Sequence, residues 1–334
     1  MTQPVLINGE WQASAGQSTF TAVNPATCEP IDGDYPVSPW SEIEAAITSA
    51  AAASRATRGW PGSRFADFLD RYAELIESRT DALVDIANQE TALPAPTRLK
   101  AVELPRTTNQ LRQAAAAARS GSWSCPTIDT ATGIRSMFGP IGPSVVFGPN
   151  NFPFAFNSIA GSDFASAVAA GNPVIAKGHS SHPGTTRLFA EAADEAARDT
   201  EMPAGFVQLI YRTSHDDGAR LVSHPLIGAT GYTGSRSAGL VLKEAADRAG
   251  NPIYLELSSI NPVVVLPGAL TERLDDLATE FTGSCLMGTG QFCTNPGLVL
   301  LLAGESTDAF VSAVSQGFAN APVGTFLSEG VQTG

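Results

Sequence analysis

The order of apolar and polar positions changes character twice along the chain. Residues 1 to 36 hold short apolar pieces, such as VLINGEW and TAVNPATCEP, broken by Asn, Gly and Pro. Such pieces predict strands and turns at a sheet edge. From Ser41 the spacing turns helical, and SEIEAAITSAAAASRA opens with Ser41 and Glu44 at capping-box spacing. In SRFADFLDRYAELIESR, Phe65, Phe68, Leu69, Tyr72 and Leu75 fall on one face. DALVDIANQETALP and VELPRTTNQLRQAAAAAR continue the run, giving a helical layer that needs a sheet to pack on. Between Gly121 and Pro140 the pattern loses its helical period. This predicts an extended flap at 121–140 that leaves the main body and serves as an oligomer contact.

After Gly142 the pattern alternates. PSVVFGP leads to a helix expected from about Ala155; NPVIAKG leads to PGTTRLFAEAADEAAR; GFVQLIY leads to HDDGARLVSHP; LIGATGYTG leads to SRSAGLVLKEAADR; IYLELSS and NPVVVLP close the series. Val- and Ile-rich runs without alternation predict strands buried on both faces. Strand and helix in turn predict an α/β fold with a doubly wound, Rossmann-like parallel sheet, whose ligands gather at the carboxyl ends of the strands. Beyond it, TERLDDLATEFTGSCLMG, GLVLLLA and STDAFVSAVSQGFANA predict a smaller α/β piece. The expected division is 1–120 with 141–257 as the nucleotide-binding domain, and 258–334 as a partial catalytic domain.

Composition narrows the function classes. A chain of 334 residues favours two domains. A net charge of −13, from 20 Lys+Arg against 33 Asp+Glu, argues against a nucleic-acid partner, because phosphate binding needs a basic surface. No apolar run is long enough to span a bilayer, and MTQPVLINGEW lacks the basic and apolar regions of a signal peptide. Cys28, Cys125, Cys285 and Cys293 have no framework spacing, which fits a reduced, cytoplasmic compartment.

Four segments carry candidate chemistry. In GTGQFCTNPG, Cys293 sits in a glycine-rich loop, where nearby N–H groups favour a reactive thiolate; Cys285, inside an apolar helix, reads as an inert core thiol. Glu256 ends the run IYLELSS and suits a water-activating base, or a structural carboxylate. In PNNFPFAF, Asn151 follows a strand and suits an oxyanion donor, although turn chemistry alone also explains an Asn-Pro loop. In GYTGSRSAG, Gly234, Ser235 and Gly239 lie between a strand and a helix, which makes either a phosphate site or a plain cap. Lys177 ends the strand NPVIAK at the edge where nucleotides bind. His179 and His182 lack a third ligand, so no metal site is expected.

Together, and in this order, PNNFP, GYTGSRSAG, YLELSSINP and GQFCTNPG resemble the aldehyde dehydrogenase family. The resemblance implies that Cys293 attacks the aldehyde, that the Asn151 amide and the Cys293 backbone N–H hold the oxyanion, and that Glu256 activates water to release the acid. It also implies that Lys177 contacts the adenosine ribose and Ser235 the pyrophosphate, with a homodimer or homotetramer as the full-length state. The wording PNNFPFAF, KGHSSHPG and GQFCTNPG resembles the branch acting on 2-oxoglutarate semialdehyde (2,5-dioxopentanoate). The alternatives are fatty aldehydes, an inactive nucleotide-binding fragment and a thioester-forming acyltransferase.

The chain departs from the family pattern at several points. Asn150 stands where many members have Trp, and Ser258 and Ser259 replace two glycines. Ser180 stands where NAD-preferring members carry Glu, so NADP is the expected cofactor, with NAD as second choice and Arg212 as a 2′-phosphate partner. The family's later Glu-x-Phe-Gly-Pro segment is absent. The chain is therefore expected to be a fragment with an exposed sheet edge.

Overall fold

A computed structural model describes residues 2–333. In chain order the strands are β1 (Val5–Ile7), β2 (Glu10–Gln12), β3 (Thr19–Asn24), β4 (Glu29–Pro36), β5 (Thr127–Ile128), β6 (Arg135–Ser136), β7 (Ser144–Phe147), β8 (Val174–Lys177), β9 (Val207–Ile210), β10 (Ala229–Thr233), β11 (Ile253–Glu256), β12 (Asn261–Val264) and β13 (Pro296–Leu300). The helices are α1 (Trp40–Ala56), α2 (Gly62–Ser78), α3 (Thr80–Thr91), α4 (Leu104–Ser120), α5 (Ser162–Ala169), α6 (Pro183–Asp199), α7 (His215–Val222), α8 (Arg236–Ala249), α9 (Pro267–Leu286), α10 (Glu305–Ala319) and α11 (Glu329–Thr333). The chain divides into two compact units, Met1–Glu256 and Leu257–Gly334.

The first unit is built on a seven-stranded sheet in the order β11-β10-β7-β8-β9-β1-β2. β11, β10, β7, β8 and β9 pair in parallel, and β1 and β2 close one side antiparallel. Every residue of β7 and β9 is buried, as the unalternating apolar runs require. Strand order reverses between β7 and β10. Right-handed crossovers therefore send α5 and α6 to one face and α7 and α8 to the other. Aromatic residues fill the layer under α2: Tyr72 is fully buried, packs beside Phe68 and Phe164, and places its hydroxyl 3.1 Å from the Ile159 and Phe189 carbonyls.

Two local expectations are corrected. The helix expected from about Ala155 starts only at Ser162. The Asn157 side chain bonds Pro153 O at 2.9 Å, Thr186 Oγ1 at 3.0 Å and Ile159 N at 3.1 Å, so it competes with helical backbone pairing. The Ser41–Glu44 capping box does not form. Helix α1 begins at Trp40 behind Pro39, whose fixed φ starts the turn early and whose carbonyl accepts the Glu42 and Ile43 N–H groups. Residues 95–103, ahead of α4, form a π-helix that the apolar spacing does not signal.

Residues 121–140 hold the β5–β6 hairpin, with Ile128, Ile134, Met137 and Phe138 all more than 60% exposed. In the second unit, β12 and β13 pair in parallel. One face of this pair packs Val263 and Val299 on α9 and α10, around Val265, Leu270, Ala278, Phe310 and Val314. The other face leaves Val264, Leu298 and Leu300 exposed. Among the described residues, no helix is long and apolar enough to cross a membrane.

Glu90 ties α3 to the start of α6. Its buried carboxylate accepts the Gly184 and Thr185 N–H groups at 2.7 and 2.8 Å and the Thr185 hydroxyl at 2.7 Å. Burial pushes its pKa up to about 7 against these bonds. Between about pH 4.5 and 7 the native carboxyl keeps a proton that the unfolded chain has released, so stability falls as pH rises through that window. The expected loss is on the order of 3 kcal/mol. Urea titrations of the wild type and Glu90→Gln across this range test it: the variant should lose most of the slope, and an identical slope would contradict the assignment.

Candidate active site

All five parallel strands of the first unit end at one edge, and the candidate residues follow those ends. Lys177 is the last residue of β8 and Glu256 the last of β11. In register, Glu256 faces Thr233, Tyr232 faces Phe147, and Phe147 faces Lys177. Asn151 follows β7, Arg212 follows β9, and Gly234 and Ser235 follow β10. The edge includes the place where strand order reverses, the usual ligand crevice of such sheets.

The turn after β10 is tight. A Cβ on Gly234 would lie 2.7 Å from the Tyr232 hydroxyl, and the Gly234 N–H donates to the Glu256 carbonyl at 3.0 Å. Ser235 is the N-cap of α8, its hydroxyl accepting the Ala238 N–H at 3.4 Å, and Gly239 is buried one turn on. The first-turn N–H groups and dipole of this 14-residue helix suit an anion. The N-terminus of α8, Lys177 and Arg212 are the groups at this edge that could meet the phosphates of a dinucleotide.

Lys177 is half-buried, with its ammonium 6.0 Å from the Phe147 ring centre. Burial and then the charge of Arg212 push its pKa down to about 8. Arg212 is exposed, with its guanidinium 5.7 Å from the Phe20 ring centre. Ser180 is half-buried in the turn before α6. His179 and His182 stack at 5.4 Å, and burial lowers both pKa values. His182 is committed to structure, with Nε2 2.8 Å from the Pro149 carbonyl and Nδ1 3.3 Å from Thr186 Oγ1.

Glu256 is exposed, and its charge adds to burial in raising the pKa of Asp163. Asn151 is half-buried, and its backbone carbonyl accepts a bond from Arg98 at 3.3 Å. Arg98 also reaches Glu103, which is fully buried and binds the Phe154 and Ala155 N–H groups. Neither residue stands out in the sequence, because the pairing depends on the π-helical turn that carries both.

In the second unit, Cys293 is half-buried in a loop whose approach is conformationally demanding. Gly288, Thr289 and Gly290 all have positive φ, at 58°, 60° and 73°. For Thr289, which is β-branched, this is a strained conformation. The loop is held from β12 and the segment before it. The Cys293 carbonyl accepts the Ser259 hydroxyl at 2.6 Å and the Asn261 amide at 2.8 Å, and that amide also reaches the Asn295 carbonyl at 3.0 Å. Asn295 in turn donates to the Cys285 carbonyl at 2.8 Å. Sequence reasoning named Ser259 only as a glycine replacement and passed over Asn261; the polar pair before an apolar strand is the signal available. Burial raises the pKa of the half-buried Cys285, consistent with an unreactive thiol.

Asn261→Ala should cost about 1–3 kcal/mol of stability and loosen the Cys293 loop. Peptide mapping after a short iodoacetamide pulse should then show Cys293 modified at least about threefold faster while Cys285 stays slow. An unchanged Cys293 rate would remove Asn261 from this role.

The profile of the Aldehyde dehydrogenase family matches residues 11–334. The chain is 42% identical to alpha-ketoglutaric semialdehyde dehydrogenase 2 of Azospirillum brasilense, over 99% of this chain and 65% of that protein. It is 37% identical to alpha-ketoglutaric semialdehyde dehydrogenase of Acinetobacter baylyi, over 92% of this chain and 60% of that protein. The chain thus spans less than two thirds of the length of these relatives. Its fold resembles that of aldehyde dehydrogenase C from Pseudomonas syringae, a mutant solved with NAD+ and octanal, with a TM-score of 0.84 at 22% identity, covering 97% of this chain and 63% of that one. It also resembles NADP-dependent glyceraldehyde-3-phosphate dehydrogenase from Bacillus halodurans solved with NADP, with a TM-score of 0.82 at 24% identity, covering 97% of this chain and 66% of that one.

Proposed function

Because the chain belongs to the aldehyde dehydrogenase family, we propose that it carries the nucleotide edge and the nucleophile segment of an NAD(P)-dependent aldehyde dehydrogenase. The observation that carries this reading is the shared carboxyl edge of the first unit, where Lys177 and Glu256 end parallel strands and Asn151 and Ser235 follow them. In the reading, the Cys293 thiolate attacks the aldehyde carbon. The Asn151 side-chain amide and the Cys293 backbone N–H hold the oxyanion. A nicotinamide cofactor, when bound, would supply the acceptor for the hydride lost from the aldehyde carbon. Glu256 then takes a proton from water, which attacks the acyl group on Cys293 and frees the acid.

Our reading of the substrate is 2-oxoglutarate semialdehyde, supported by the names of the two curated relatives. The alternative of fatty aldehydes has support from the octanal in the Pseudomonas syringae neighbour, which is more distant in sequence. The family reading carries with it a cytoplasmic enzyme that assembles as a homodimer or homotetramer through the hairpin at 121–140, whose exposed apolar residues support a contact role.

For the cofactor, the cations Lys177 and Arg212 and the neutral Ser180 support NADP. Lys177 carries its charge below about pH 8, so NADP affinity should fall as pH rises through 8, and NAD affinity should change less. Arg212→Ala should weaken NADP binding about tenfold and leave NAD binding nearly unchanged. A turnover preference for NAD above about tenfold would overturn the NADP assignment.

Aldehyde-dependent formation of reduced cofactor by the whole protein tests the reaction. Cys293→Ala should abolish it, by about a thousandfold or more, whereas Glu256→Gln should leave a single fast turnover followed by a stall. Rates with long-chain aldehydes far above those with 2-oxoglutarate semialdehyde would sink the substrate reading. Cofactor binding without any aldehyde oxidation would favour an inactive nucleotide-binding fragment.

A further inference from the structure

We propose that Arg98 and Glu103 are positioning residues that fix the Asn151 loop, and that they act on catalysis through the Asn151 amide. The proposal rests on the reading of Asn151 as an oxyanion donor. Between β7 and α5 the chain runs through residues 148–161 without regular structure, yet most of these residues are buried. Buried backbone groups in such a segment need partners.

Glu103 supplies them. Its side chain is fully buried, and Oε1 accepts the Phe154 N–H at 2.8 Å and the Ala155 N–H at 3.1 Å. Arg98 joins this carboxylate to the residue that carries the chemistry. Its Nη2 lies 3.2 Å from Glu103 Oε2 and donates to the Asn151 carbonyl at 3.3 Å, while the guanidinium sits 4.3 Å from the centre of the Phe152 ring. The loop is thus held at Asn151, at Phe152 and at Phe154–Ala155 by one ion pair.

The π-helix at Ala95–Glu103 makes the clamp geometrically available. Its bonds run from residue i to i+5, as from Leu99 N to Pro94 O at 3.1 Å and from Leu104 N to Leu99 O. Arg98 and Glu103 are five apart, so the wide turn brings onto one face two side chains that an α-helix would splay. Wide turns of this kind recur at functional sites. Burying an ion pair is costly and gives little stability compared with apolar packing of the same volume. What this pair provides is a fixed position for the loop, and misplacing a catalytic group by about 1 Å can cost about a hundredfold in rate.

The test is a double-mutant cycle on the whole protein with its nicotinamide cofactor. Arg98→Met should lower kcat about tenfold to a hundredfold with KM changed less than about threefold, and Arg98→Lys should recover part of the loss. In an Asn151→Ala background, Arg98→Met should change kcat by less than about threefold, because the group it positions is gone. A second measurement does not depend on turnover: in Glu103→Gln and Arg98→Met, amide exchange across residues 151–157 should rise at least about tenfold while β7 to β9 stay protected. Equal kcat losses in both backgrounds would show a merely structural role and overturn the proposal. Unchanged exchange in the loop would overturn it as well. If Asn151→Ala alone leaves kcat unchanged, the oxyanion reading itself fails, and the proposal falls with it.

Discussion

Strands that pair in parallel must all end at the same edge, and here that edge is set by a register row in which Glu256 faces Thr233 and Tyr232, Phe147, Lys177 and Ile210 stand side by side. Because β7 and β9 are buried along their whole length, their side chains are committed to the interior, Gln208 by bonds to Asn8 N and Ala46 O. Chemistry is placed at the last residue of a strand, as with Lys177 and Glu256, or in the segment that follows it. The position of Asn151, Lys177, Arg212, Ser235 and Glu256 follows from this, before any one contact is considered.

The segments beyond the strands are then fixed one at a time by polar groups taken from elsewhere in their own unit. His182 holds the Pro149 carbonyl, Arg98 holds the Asn151 carbonyl, and Glu103 holds the Phe154 and Ala155 N–H groups. In the second unit, Ser259 and Asn261 hold the carbonyl of Cys293. Apart from the exposed Ser259 bond, these are buried or half-buried polar contacts in irregular backbone, where an unsatisfied group is expensive. They tie down the loops that carry the candidate residues.

The sheet was legible because runs such as PSVVF and FVQLI do not alternate apolar with polar positions and so belong between two helical layers. The candidate residues were legible because they stand where those runs stop. What escaped reading depended on one side chain overriding a regular pattern. Asn157 delays α5 to Ser162 by bonding its own neighbours, and Pro39 starts α1 ahead of the Ser41 signal. The π-helical turn has no sequence period of its own, so the pairing of Arg98 with Glu103 stayed hidden although both residues were in plain view. Asn261 escaped for a related reason: its partner is a backbone carbonyl 32 residues away, and carbonyls leave no trace in a sequence.

The claim on which the functional reading turns is that Cys293 takes up the acyl group. The most direct measurement is peptide mass mapping of Glu256→Gln protein quenched in acid after mixing with 2-oxoglutarate semialdehyde and NADP. An acyl mass on the peptide containing Cys293, formed only when the oxidised cofactor is present, is the expected result. No adduct, or an adduct on Cys285 in its place, would contradict it.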